Sequence, residues 1–65
     1  MNSLSLKVRK PKKIGEKITL RIKNNLVIIT RELCCLKVNV NGKDFYVRDN
    51  ASTEEIVKEI LKKIN

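Results

Sequence analysis

Hydrophobic and polar residues alternate with a period of two over several short stretches of the chain. Ile18, Leu20 and Ile22 are separated by polar side chains, and the stretches at 4–9, 26–31, 35–40 and 43–48 show the same alternation in whole or in part. This pattern is typical of β-strands with one apolar and one polar face. It predicts five strands, at residues 4–9, 17–23, 26–31, 35–40 and 43–48.

Two short turns are expected to join neighbouring strands into hairpins. The dipeptide Asn41-Gly42 is a strong signal for a two-residue hairpin loop. Such a loop brings Val38 opposite Phe45 on the apolar face. A slip of one residue would mix the two faces, so the sequence specifies this register.

The dipeptide Asn24-Asn25 tolerates the positive φ angles of a tight turn and predicts the other hairpin. A two-residue loop at 24–25 brings Ile22 opposite Val27 and Leu20 opposite Ile29.

The last part of the chain has the spacing of an amphipathic helix. Ser52 and Glu55 form a capping-box pattern at its start, which predicts a helix at residues 53–64. Its apolar stripe consists of Ile56, Val57, Ile60, Leu61 and Ile64. Such a stripe usually packs on a core, so the helix is expected to cover the sheet.

These elements predict an α+β fold in a single domain, residues 1–65. The expected architecture is a small antiparallel β-sheet, or a partly closed barrel, of four to five strands with one C-terminal amphipathic helix.

Residues that could carry catalysis or bind a metal are few. Cys34 and Cys35 are adjacent, and the sequence contains no histidine. Neither a four-ligand zinc site nor a Cys-His nucleophile can be built from this set, and no glycine-rich phosphate loop occurs. We therefore expect no enzyme activity, no metal, no cofactor and no small-molecule substrate. We interpret the cysteines as reduced thiols, one buried and one near the surface, as in a reducing cytosol.

No apolar run approaches the length of a membrane span, and the N-terminal stretch lacks the apolar centre of a signal peptide. The sequence predicts a cytoplasmic protein without a membrane partner.

The net charge of +8 is concentrated near the N-terminus. Residues 1–23 contain eight basic side chains and one acidic one, whereas residues 24–65 contain seven basic and six acidic ones. Lysine-rich usage also favours solubility and is common in thermophiles. The asymmetry nevertheless favours an anionic partner.

Basic residues on the polar strand face and in the loop around Pro11 form the candidate site. Tyr46 lies among them and could stack on a base. The predicted nucleic-acid-binding residues are Lys7, Arg9, Lys10, Lys12, Lys13, Lys17, Arg21, Lys23, Lys37, Tyr46 and Arg48. They predict a DNA-binding or RNA-binding protein, or a ribonucleoprotein component. The alternative is an ordinary solvated sheet face.

A different partner is suggested by aliphatic residues on the same polar face. Leu26 and Ile28 alternate out of phase with the core positions, and Cys35 is expected to join them. The second hypothesis is therefore a protein–protein interaction module, a regulator or inhibitor that uses an edge strand and this patch, or a homodimer.

Two stretches resemble known families in the order of their elements. Residues 14–22 and the strand after them resemble the carbon storage regulator family, a dimeric RNA-binding fold, although the spacing after Ile29 is longer here by a strand. Residues 36–64 are similar to the opening hairpin and helix of ubiquitin-like sulfur carriers, which continue to a Gly-Gly tail. Neither resemblance assigns the chain to a family or transfers functional residues to it.

Overall fold

The structure is a computed structural model that describes residues 8–64. Its strands are β1 (Lys17–Ile22), β2 (Asn25–Arg31), β3 (Cys35–Val40) and β4 (Lys43–Arg48), and its helix is α1 (Thr53–Ile64). These bounds agree with the predicted elements to within one residue. Most of the predicted strand at 4–9 lies outside the described residues, and Val8 and Arg9 are not in a strand.

The four strands form one open antiparallel sheet in the order β1-β2-β3-β4. Each strand therefore pairs with its neighbour in sequence, and β1 and β4 are the two edges of the sheet in the part of the chain that is described. The predicted α+β fold is confirmed as an open meander with one C-terminal helix, and the partly closed barrel is excluded.

One face of the sheet, which we call the inner face, packs against α1. The side chains of Ile29, Leu36 and Val38 on this face are fully buried, as are those of Ile56 and Ile60 from the helix. Because strand side chains alternate, burial of these positions commits the intervening residues to the opposite, outer face. The stripe of α1 is thus the cover of the core, as the sequence predicts.

The start of α1 has the predicted cap. The Ser52 Oγ accepts a hydrogen bond from the Glu55 backbone N–H at 3.2 Å. Glu54 and Glu55 lie in the first turn, and Lys62 and Lys63 lie in the last. This order of charges complements the helix dipole at both ends.

The β3–β4 hairpin has the predicted register. Val38 pairs with Phe45 and Lys37 pairs with Tyr46. Asn41 and Gly42 both have positive φ angles, as the two-residue turn requires.

The predicted register of the β1–β2 hairpin is wrong by two residues. Ile22 pairs with Asn25, and Leu20 pairs with Val27, because the loop consists of Lys23 and Asn24. Asn25 begins β2, and its side-chain Nδ2 donates to the carbonyl oxygen of Lys23 at 2.8 Å.

The side-chain Nδ2 of Asn41 donates to Asn25 Oδ1 at 2.6 Å, so the two hairpin turns are hydrogen-bonded to each other. A shift of two residues keeps every side chain on its predicted face.

Part of the charged segment before β1 packs on the core. Val8 and Pro11 are buried. The Arg31 Nε–H donates to the Pro11 carbonyl oxygen at 2.8 Å, and Lys10 Nζ donates to the Asp49 carbonyl oxygen at 3.1 Å. These hydrogen bonds fix the segment to the ends of β2 and β4.

The position of Ile60 generates a test of the core. Ile60 is 0% exposed. We expect Ile60→Ala to lower the free energy of unfolding by about 2–5 kcal/mol, because a large side chain is removed from a packed site. Urea unfolding followed by circular dichroism measures the change, with Lys58→Ala on the exposed side of α1 as the control. An unchanged unfolding midpoint in Ile60→Ala would mean that the stripe of α1 does not pack on the sheet.

Candidate nucleic-acid interface

The outer face of the sheet carries the candidate interface. Its side chains are Lys17, Thr19 and Arg21 from β1, Leu26, Ile28 and Thr30 from β2, Cys35, Lys37 and Asn39 from β3, and Asp44, Tyr46 and Arg48 from β4. The helix covers the inner face, so none of its lysines belongs to this surface. The outer face is therefore a separate and mixed surface of basic, aliphatic and polar groups.

The strand registers align four of these residues in a row across the sheet. Lys17 pairs with Thr30, Thr30 with Lys37, and Lys37 with Tyr46. We call these four residues the central row. With an inter-strand spacing of about 4.8 Å, the row is about 14 Å wide. Tyr46 is 61% exposed, so the face of its ring is accessible to a planar ligand.

Exposed cations lie at both edges of the outer face. Lys17 and Arg21 are exposed on β1, and Arg48 is exposed on β4. No acidic side chain of the described residues forms an ion pair with these three. Their charges are available to an anionic ligand.

Lys37 lies between the edges and has a different environment. Its Nζ is 3.8 Å from Asp44 Oδ2. Asn39 Nδ2 donates to Asp44 Oδ1 at 2.7 Å, and Asn39 Oδ1 accepts from the Gly42 N–H at 3.2 Å. In this Lys37–Asp44–Asn39 network, the carboxylate compensates the charge of the lysine. The sequence analysis did not predict the network. The predicted register of the β3–β4 hairpin already pairs Asn39 with Asp44 and could have revealed the network.

Several predicted binding residues are not on the outer face. Lys7 lies outside the described residues. Arg9 is exposed but lies before β1, and Lys23 is in the β1–β2 turn with a φ of 51°. Among residues 8–64, the predicted cations Lys17, Arg21, Lys37 and Arg48 share the outer face, whereas Arg9 and Lys23 lie outside the strands.

The lysines in the loop around Pro11 differ in their exposure. Lys10 is half-buried and bound to the Asp49 carbonyl oxygen, so it is part of the fold. Lys12 and Lys13 are exposed just before β1. With Lys23 after the strand, these lysines extend the line of positive charge along the β1 edge.

The aliphatic patch on the outer face is present as predicted. Leu26 is 43% exposed, and Ile28 is half-buried beside it on β2. Cys35 does not join them, because the pair Thr30 and Lys37 lies between Cys35 and Ile28 in the strand registers.

The thiols differ in part from their predicted positions. Cys34 is exposed, and Cys35 is half-buried on the outer face, so neither is a core residue. Both are free cysteines. Within residues 8–64, no group of three Cys, Asp or Glu side chains is placed so that it could hold a metal ion.

An open groove runs between β4 and α1. Arg48, Lys58 and Lys62 line it together with Glu55 and Glu59. Lys62 Nζ lies 3.1 Å from Glu59 Oε2. The alternating charges make this groove unsuitable for a polyanion.

Together these features define a small α+β domain with an open sheet whose exposed face is basic at its edges. No helix within the described residues is long and apolar enough to cross a membrane. Comparisons of the chain with protein-family models, with curated proteins and with solved structures found no match.

The environment of the thiols leads to a prediction. Neither sulfur lies in the core or among metal-binding groups, so we expect Cys34→Ser combined with Cys35→Ala to cost less than about 1.5 kcal/mol of unfolding free energy and to leave ligand binding unchanged. Thermal unfolding and a binding titration of the double variant test this. Loss of bound metal or of binding in the double variant would show that the thiols are functional.

Proposed function

We propose that this chain is a small, non-enzymatic nucleic-acid-binding protein, acting alone or within a ribonucleoprotein, and that it binds through the outer face. The observation that carries the proposal is the exposed ring of Tyr46 in one row with Lys37 and Lys17. Aromatic rings that stack on bases, combined with cations that contact phosphates, are the usual means by which proteins bind unpaired nucleotides.

The exposed cations would supply most of the affinity. Lys17, Arg21 and Arg48 lie on the outer face, and Lys12, Lys13 and Lys23 continue the charge along the β1 edge. Each cation that contacts a phosphate releases condensed counterions, which makes the affinity depend steeply on salt concentration. Lys37 contributes less, because Asp44 is its ion-pair partner.

A second function is favoured by the aliphatic patch and the sheet edge. Leu26 is 43% exposed and lies opposite Arg21, next to the open edge of β1. A partner strand could add to this edge and cover Leu26, as in proteins that bind extended peptides. Under this alternative the protein is an interaction module or a homodimer.

The first test of the proposal uses two double variants with equal loss of charge. Lys17→Gln with Arg21→Gln removes two cations from the outer face. We expect it to weaken binding to a random oligonucleotide and to reduce the slope of log affinity against log salt by about 0.7 to 1 for each phosphate that the variant no longer neutralises. Fluorescence anisotropy at a series of salt concentrations measures the slope.

The matched control is Lys58→Gln with Lys62→Gln on α1, which changes the net charge equally on the other side of the sheet. We expect it to change the slope little. Equal effects of the two double variants would mean that net charge alone attracts the oligonucleotide, and that the outer face is not the binding surface.

The alternative has its own test. If β1 and Leu26 form an interface between two copies, the protein sediments as a dimer, and Leu26→Ser shifts it toward the monomer because it removes apolar surface from the interface. Sedimentation velocity over a range of protein concentrations measures this. A monomer at every concentration, unaffected by the substitution, would exclude the homodimer.

A further inference from the structure

Among the described residues, the outer-face cations that have no ion-pair partner lie on the two edge strands. Lys17 and Arg21 lie on β1 and Arg48 lies on β4, and these two strands are about 14 Å apart across three inter-strand spacings. The two inner strands carry the aliphatic side chains of Leu26 and Ile28 and the lysine Lys37, which is paired with the carboxylate of Asp44 on β4. This distribution determines which form of nucleic acid the face suits.

A double helix presents its phosphates on the outside, so a flat protein surface must compensate negative charge where the two meet. Here the surface would bring Asp44 of β4 and the aliphatic side chains of Leu26 and Ile28 on β2 toward phosphates. The Lys37–Asp44 pair would offer no net positive charge to a phosphate, and the aliphatic groups could only desolvate it. The outer face is therefore poorly matched to a duplex.

A single strand can turn its bases toward the protein and its phosphates toward the edges. Apolar Ile28 and the ring of Tyr46 then contact base faces, which are apolar, while the edge cations contact the backbone. Single-stranded RNA is bound across four-stranded sheets in other proteins, where aromatic residues stack two or three bases. The central row has the width for a similar number.

The Lys37–Asp44–Asn39 network offers a polar contact to a base edge. Asp44 already accepts from Asn39 Nδ2 and lies near Lys37 Nζ. A carboxylate has about four lone-pair sites, so Asp44 can still accept another hydrogen bond. Carboxylates accept from the exocyclic amino group of cytosine, whereas uracil and thymine have no amino group to donate.

We propose that the outer face binds single-stranded nucleic acid in preference to duplex, with one base stacked on Tyr46 and an amino-bearing base such as cytosine hydrogen-bonded to Asp44. This inference rests on the proposed function and specifies its ligand.

The experiment compares three probes of equal length: oligocytidylate, oligouridylate and a mixed-sequence RNA duplex. Fluorescence anisotropy at one fixed salt concentration gives the three affinities. The expected order is oligocytidylate, then oligouridylate, then duplex. A duplex bound as tightly as the single strands would overturn the inference while leaving nucleic-acid binding intact. Failure of all three probes to bind at low salt would instead overturn the proposed function.

Two variants test the roles of the named residues. Tyr46→Ala should weaken oligocytidylate binding by about five- to 150-fold, the effect of losing one stacked base, whereas Tyr46→Phe should retain the ring and stay within about twofold of the original protein. Thermal unfolding of both variants checks that the sheet is intact, since Tyr46 is 61% exposed. Equal binding by Tyr46→Ala and Tyr46→Phe would exclude stacking at this position.

Asp44→Ala is the second variant, with Glu59→Ala on α1 as its charge-matched control. Both changes raise the net charge by one, so both should strengthen general attraction to a polyanion. Only Asp44→Ala should remove the preference for oligocytidylate over oligouridylate. A preference that persists in Asp44→Ala would show that Asp44 does not contact the base.

Discussion

Burial of the inner face beneath α1 is the constraint on which the rest of the structure depends. Ile56 and Ile60 of the helix meet Leu36 and Val38 of the sheet, and all four are fully buried. A chain this small buries a limited share of its surface, so it can form only one such layer of packing. In the part of the chain that the structure describes, no helix or strand covers the other side of the sheet. The availability of the outer face thus follows from the size of the core.

Much of the fold could be predicted from the alternation of apolar and polar residues. This alternation determines which face of each strand is buried, and burial in turn limits how neighbouring strands can pair. The β3–β4 register is unambiguous, since Asn41 and Gly42 supply the turn and a slip would expose Val38. In the β1–β2 hairpin, a shift of two residues leaves the faces unchanged, so alternation cannot detect it. Side-chain hydrogen bonds from Asn25 select the observed turn. Such bonds depend on three-dimensional proximity and have no signature in the order of apolar residues.

The candidate site was less predictable than the fold. Alternation correctly assigned Lys17, Arg21 and Arg48 to one face, because a strand position determines the direction of its side chain. It could not show that Asp44 compensates Lys37 on the neighbouring strand. Nor could local composition show that Lys10 is bound to a carbonyl oxygen after β4, since the two residues are 39 positions apart. Counting cations therefore overestimated the charge available to a ligand.

The order of strands also bears on how the chain assembles. Each strand pairs with its sequence neighbour, so sheet formation closes only short loops and loses little chain entropy before the strands pair. Docking of residues 8–11 is different, because its hydrogen bonds join residues 20 and 39 positions apart. The four-stranded sheet is therefore built from contacts between residues close in sequence, whereas the packing of residues 8–11 depends on contacts between residues far apart in sequence. We therefore expect Val8 and Pro11 to join the core after the short turns have aligned the sheet.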